Sequence, residues 1–206
     1  MKIERMVIGP LDTNAYLLVD DQTREAVLVD APHGVSRQLS RHVKDGVKVV
    51  MLINTHGHWD HIGDNEEVLK IIHAPLAIHS ADAEMLKDGG AYGYETPIPA
   101  ITSRADRLLA GEDVISFGSV RLRVMHTPGH TPGSICLYHE AGKTLISGDT
   151  LFEDSCGRTD LPNSSESEMA ASLRTLSKLP AETRFYPGHG EGSTIGGHPM
   201  LARSSR

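Results

Sequence analysis

Cysteine is scarce in this chain. Cys136 and Cys156 are the only two, too few for a disulfide framework, so packing must hold the fold and the thiols are expected reduced, as in a cytoplasmic protein. No apolar run approaches the roughly 20 residues that cross a bilayer, and Met1-Lys2-Ile3-Glu4-Arg5 lacks the apolar core of a signal peptide. Basic residues are outnumbered: 20 Lys and Arg against 27 Asp and Glu give a formal charge of -7. That balance argues against nucleic acid as the main partner, since phosphate binding wants a basic face. Internal repeats and low-complexity tracts are also missing. What remains is an ordinary globular composition, 39% hydrophobic and 23% charged. A chain of 206 residues can bury roughly 70% of its unfolded surface, and residues 1–206 read as a single domain.

Histidine, by contrast, is abundant, with twelve copies. Three of them crowd into Thr55-His56-Gly57-His58-Trp59-Asp60-His61. The apolar run Lys48-Val49-Val50-Met51-Leu52-Ile53 precedes that stretch and reads as a buried strand. Ile62 to Ile72 follows, with Asn65, Val68, Leu69 and Ile72 on one helical face. The cluster therefore sits on a turn between rigid elements, which can aim side chains at one point. His56 and His58 are two apart and share a side of an extended segment. Asp60 and His61 follow on the turn. Imidazole and carboxylate are the usual ligands of zinc and related divalent ions.

Elsewhere, residues 3–8, 14–19 and 26–29 read as strands, and Val35, Leu39 and Val43 mark a helix that Gly46 stops. Residues 76–78 form a short strand, and Ser80 is placed to cap a helix over 81–87. Residues 88–104, rich in turn formers, read as a long loop. Val120 to Val124 alternates strictly, so one face is buried. Residues 134–139 and 144–146 are further strands. Ser165-Glu166-Ser167-Glu168 fits a capping box opening a helix with Met169, Leu173 and Leu176 on its core face, closed by Pro180. Residues 183–186 are a last strand. This order suits two packed sheets with helices outside.

Four apolar strands run directly into possible ligands. Ile53 leads to the cluster, Val124-Met125 to His126-Thr127-Pro128-Gly129-His130, Leu145-Ile146 to Ser147-Gly148-Asp149, and Phe185-Tyr186 to Pro187-Gly188-His189. The candidates are His56, His58, Asp60, His61, His130, Asp149 and His189. One tetrahedral ion would not use seven ligands, whereas two ions sharing a bridging carboxylate would.

The His-x-His-x-Asp-His pattern with the later His, Asp and His resembles the metallo-β-lactamase superfamily. Thr13-Asn14-Ala15-Tyr16, His126 to Ser134, Ser147-Gly148-Asp149-Thr150-Leu151-Phe152 and Cys156-Gly157-Arg158 resemble its glyoxalase II (hydroxyacylglutathione hydrolase-like) branch. The resemblance implies a four-layer αββα sandwich mixing α+β and α/β character, with the site at one edge of the sheets. It implies two divalent ions, zinc in the first place, with iron or manganese as alternatives. Carried onto matching positions, His56, His58 and His130 hold one ion, Asp60, His61 and His189 the other, and Asp149 bridges. Asp60 and Asp149 are the carboxylates expected to act in catalysis. The branch's C-terminal helical domain, which helps grip glutathione, has no counterpart after Tyr186, so the resemblance is to a short form.

The implied chemistry is hydrolysis of a small acyl thioester or ester by a metal-bound hydroxide, without nucleic acid or membrane as partner. The alternative is a persulfide dioxygenase-like oxidoreductase with one iron, because that group shares the fold and a segment like Cys156-Gly157-Arg158-Thr159-Asp160. Arg158 either grips an anionic substrate or pairs with Asp160. Cys156 reads as a loop thiol and His126 as a hydrogen-bonded structural histidine. His33, His73, His79 and His198 read as surface or packing residues.

Overall fold

The computed structural model describes residues 1–90, 96 and 101–201. Strands β1 (Lys2–Ile8), β2 (Thr13–Val19) and β3 (Glu25–Val29) pair antiparallel. Onto them β4 (Lys48–Ile53), β5 (Leu76–His79) and β6 (Arg107–Leu109) add in parallel, giving one sheet in sequence order. The second sheet meanders through β7 (Val114–Phe117), β8 (Val120–His126), β9 (Ile135–His139) and β10 (Thr144–Gly148). Its last strand, β11 (Arg184–Pro187), lies parallel to β10.

Side-chain alternation builds the layers. In β2, Ala15, Leu17 and Val19 pack with Val35 and Leu39 of helix α1 (Val35–Lys44). Tyr16 and Leu18 point the other way, onto Ile115, Leu122 and Val124 of the second sheet. β2 is therefore buried on both faces, which explains why its apolar run shows no alternation. The outer face of the second sheet offers Cys136, Tyr138 and Leu145 to Met169, Leu173 and Leu176 of helix α4 (Glu166–Leu176). The result is the four-layer αββα sandwich expected from the sequence. No helix among the described residues is long and apolar enough to cross a membrane.

A bulge tunes one strand toward the site. Ala26 pairs with Val49 but Val27 with Met51, so β4 carries one extra residue. Beyond it Leu52 faces the helices and Ile53 faces the second sheet.

Several local expectations change. The helix read from Ile62 to Ile72 is two pieces, α2 (Trp59–Ile62) and α3 (Asn65–Ile72). Asp64 donates its N–H to Ala31 O at 2.8 Å, and its Oδ2 accepts from Ser36 N at 2.8 Å. Tertiary bonds at Asp64 thus break the helix and dock it on α1. As a consequence Asp60 and His61 sit on a helical turn, not on a loop. Residues 80–88 form a 3-10 helix, and the capping side chain is His79, which accepts from Ala81 N at 3.3 Å, not Ser80. The capping box at α4 is half formed: Ser165 Oγ accepts from Glu168 N, but the Ser165 N–H is taken by Gly129 O. Strands β6 and β7 were not expected. β6 has three residues with one buried, and β7 alternates over only four residues. The expected loop at 88–104 falls mostly outside the described residues.

Candidate metal centre

The parallel strands β3, β4, β10 and β11, together with β8, discharge their C-terminal ends at one edge of the sandwich, where open α/β sheets place ligands. β4 supplies His56, His58, Asp60 and His61; β8 leads to His130; β10 to Asp149; β11 to His189. All seven candidates named from the sequence converge there. Their ligand atoms fall into three overlapping triads, His56–His58–His130, His56–His61–Asp149 and Asp60–His61–His189, each with its atoms within 4.8 Å of one another. Asp149 lies between the outer two. Its Oδ1 is 3.4 Å from His61 Nε2, and its Oδ2 is 3.6 Å from His130 Nε2 and 3.5 Å from His189 Nε2.

Partners fix the tautomers. His61 donates Nδ1–H to Asp30 Oδ2 at 2.8 Å, His130 to Arg158 O at 3.0 Å, and His189 to Leu11 O at 3.0 Å. Each ring therefore turns an Nε2 lone pair inward. His61 Nε2 and His189 Nε2 then face each other at 3.3 Å, and His58 Nδ1 faces His130 Nε2 at 2.9 Å. Lone pairs so close need a proton or a cation between them. His56 Nε2 and Asp149 Oδ1 are buried without a hydrogen-bond partner, an omission that costs about 1–3 kcal/mol each when left unanswered. The donor set, nitrogen with carboxylate oxygen, fits divalent ions.

The charges agree. Burial pushes His56 well below the usual histidine range, with His61 adding to it. Burial and then His130 take His58 down to about 3. Both are thus neutral, the form that binds metal. Burial acts to raise Asp60 and Asp149, yet His61 above all overrides it and holds both carboxyls low. Burial likewise opposes a proton on His61, but Asp60, Asp149 and Asp30 draw one there. The cluster demands positive charge.

Further residues hold the ligands in place. Asp30 sits at φ 62° at the end of β3 and accepts from Thr55 N at 2.7 Å and Thr55 Oγ1 at 2.8 Å as well as from His61. Its sequence signal was available: Val29-Asp30 is another apolar strand running into a ligand-type residue. Thr13 Oγ1 donates to Asp60 Oδ2 at 3.1 Å. Asn14 Nδ2 donates to Pro187 O and Gly190 O, and Tyr16 Oη to Pro187 O. The Thr13-Asn14-Ala15-Tyr16 segment thereby braces the turn that carries His189. At Gly188 a Cβ would come within 2.0 Å of Asp149 Oδ1, so only glycine fits. Asp82, fully buried, accepts three hydrogen bonds from the loops around His56, His58 and His130; no periodicity marked it.

A cleft of about 410 Å³ opens over His58, Asp60, His130, Asp149 and His189, with Leu11, Trp59, Phe152 and Leu161 among its walls. Arg158 reaches this cleft but donates through Nε and Nη2 to both oxygens of Asp160, at 2.7 and 2.8 Å. That pair draws the Asp160 carboxyl down to about 2. Cys156 also lines the cleft, and burial raises its thiol. His126 donates Nε2–H to Pro132 O at 2.9 Å and stacks on His79 at 4.0 Å. His33 and His73 are exposed, as the sequence implied. His198 is packed, but at the site: its Nε2–H spans Phe152 O and Ser155 O, fixing the loop under Phe152. A slightly larger depression, about 460 Å³, lies by Arg121, Arg123 and Tyr138. It holds none of the seven candidates, and Arg123 there pairs with Glu112, so the chemistry belongs to the smaller cleft.

A sequence model of the metallo-beta-lactamase superfamily matches residues 8–189. BLEG-1, a B3 metallo-beta-lactamase of solved structure, superposes with a TM-score of 0.90 at 33% identity, covering 97% of this chain and 99% of that one. TTHA1623, solved in a di-iron-bound form, does so with a TM-score of 0.80, also at 33% identity, over 96% of this chain and 99% of that one. A hydroxyacylglutathione hydrolase-like protein of Gallus gallus is 34% identical over 196 residues, 92% of this chain and 61% of that protein.

Proposed function

Because this chain belongs to the metallo-beta-lactamase superfamily, we propose that it is a two-metal hydrolase acting on small acyl thioesters. The observation that carries this reading is the pair of outer ligand triads flanking Asp149 beneath an open cleft. In this reading His56, His58 and His130 hold one ion, Asp60, His61 and His189 hold the other, and Asp149 bridges. Bound divalent ions supply hydroxide near neutral pH and polarise the carbonyl of the substrate.

The remaining work falls to the chain. Asp60, anchored by Thr13, presents a carboxylate to the cleft and orients the attacking water. Leu11, Trp59, Phe152 and Leu161 give the acyl group an apolar wall. A thiolate is a good leaving group and needs little acid assistance. The likeness to the hydroxyacylglutathione hydrolase-like protein supports a thioester, and the di-iron form of TTHA1623 supports two ions while keeping iron beside zinc as the metal.

Arg158 spends its charge on Asp160, so the cleft asks little of the thiol half. Discrimination needs contact with the remote parts of a substrate. One acyl group carried on glutathione, on coenzyme A and on a simple short thiol should give similar kcat/KM. A preference for glutathione beyond roughly a hundredfold, about 2.7 kcal/mol in the transition state, overturns that permissiveness. Metal analysis should return about two ions per chain. A single iron with oxygen consumption on a persulfide substrate replaces the hydrolase by a dioxygenase.

A further inference from the structure

The 3-10 helix Ser80–Asp88 contributes no ligand, yet it packs tightly on both loops of one triad. At Gly57, between His56 and His58, a Cβ would lie 2.6 Å from Met85 Cβ. At Gly133, three residues past His130, a Cβ would lie 2.6 Å from Asp82. Between these contacts stands Asp82 with no exposed surface. Its Oδ2 accepts from Gly57 N at 3.0 Å and from Thr131 Oγ1 at 2.6 Å, and its Oδ1 accepts from Gly133 N at 2.6 Å. Thr131 Oγ1 also meets Ser134 Oγ at 2.7 Å, which extends the network along the second loop. A buried carboxylate is costly unless hydrogen bonds answer it, and here the donors come from two loops far apart in sequence, each flanking a ligand.

We propose that Asp82 is the positioning residue of the His56–His58–His130 triad: its two oxygens hold the Gly57 loop and the Thr131–Gly133 loop in register so that the three imidazoles meet at one point. This rests on the assignment of that triad to one of two ions. The carboxylate acts through backbone and hydroxyl groups, not on the ligand rings. It therefore sets the geometry of this triad and leaves the Asp60–His61–His189 triad alone. Supporting partners of metal ligands contribute about 10–100-fold in affinity.

The test is stepwise zinc binding by competition with a chromophoric chelator, using the full chain. His58→Ala identifies which step belongs to the triad. Asp82→Ala should weaken that same step by about 10–100-fold and leave the other unchanged. Asp82→Asn keeps the shape but puts an amide N–H against at least one donor, and should give a smaller loss in the same step. Thr131→Val, which removes one of the three bonds, should give the smallest. Far-UV circular dichroism of the apoproteins reports folding, and if the alanine variant fails to fold the asparagine and valine variants carry the comparison. Equal weakening of both steps, or none, in folded variants overturns the positioning role. A wild-type chain that binds only one ion overturns the two-ion assignment instead, and the two failures are thereby distinct.

Discussion

The two halves of the metal centre are built by different means. His56, His58 and His130 offer nitrogen alone, from two loops, and the buried carboxylate that braces those loops, Asp82, grips backbone amides and a hydroxyl. Asp60, His61 and His189 mix oxygen with nitrogen, and their supports touch the ligand side chains themselves: Asp30 on His61, Thr13 on Asp60, Leu11 O on His189. The second half also reaches further out, with the His189 side chain 27% exposed. Neutral oxygens meet the rings of the first half, Arg158 O on His130 and Thr55 Oγ1 on His56; in the second half Asp30 puts a carboxylate on the His61 N–H, which raises the basicity of the opposite nitrogen. Changing a support should alter geometry in the first case and donor strength as well in the second.

The change with the largest expected effect abolishes the distinction. Asp149→Ala removes the only carboxylate that stands against both outer triads among the described residues. It should lower total metal content as well as turnover, the latter by about 10²–10³-fold or more. Full metal content in that variant, read by elemental analysis, would falsify the bridge. Next come His58→Ala and His61→Ala, each expected to lose one ion, and a different one. If competition titration shows the same binding step missing from both, the halves are one site with shared ligands. Asp30→Asn follows: the ion held by Asp60, His61 and His189 should bind about 10–100-fold more weakly, and the other should change less, since Asp30 reaches His56 only through Thr55. Thr13→Val is the mildest. It deletes one bond to Asp60, which faces the cleft where water can substitute, so about 0.5–1.5 kcal/mol is at stake, a severalfold weakening of the same ion. An effect on the opposite ion would dissolve the comparison.

The seven candidate ligands were readable in the sequence because their signal is local: an apolar strand running into histidine or aspartate, in three of the four cases behind a glycine or proline turn. The layers were readable because β8 alternates and α4 repeats on the helical period. Asp30 follows an apolar strand too, but no glycine or proline turn stands before it as one does before His130, Asp149 and His189. Asp82 obeyed no rule, since its donors at Gly57, Thr131 and Gly133 are distant in sequence and two of the three are backbone groups. The break at Gly63-Asp64 was equally hidden: the bonds that cause it come from Ala31 and Ser36. The Arg158–Asp160 pair needed the structure too, because its bidentate geometry depends on the turn between them.

The contact between Thr13 and His189 sets a timetable for the chain. These residues form an isolated antiparallel bridge, and Asn14 donates its N–H to Gly188 O at 2.7 Å, so the first hairpin grips the turn after the last strand. During synthesis the hairpin emerges well before its partner. Closing so long a segment is slow compared with local helix and hairpin formation, although its entropic cost rises only logarithmically with length. The loop around His56 and His58 can form early, but His189 cannot join until the chain through β11 has left the ribosome. The second triad is thus incomplete until β11 is in place: a product truncated before Pro187 would keep most of the described strands and lack His189.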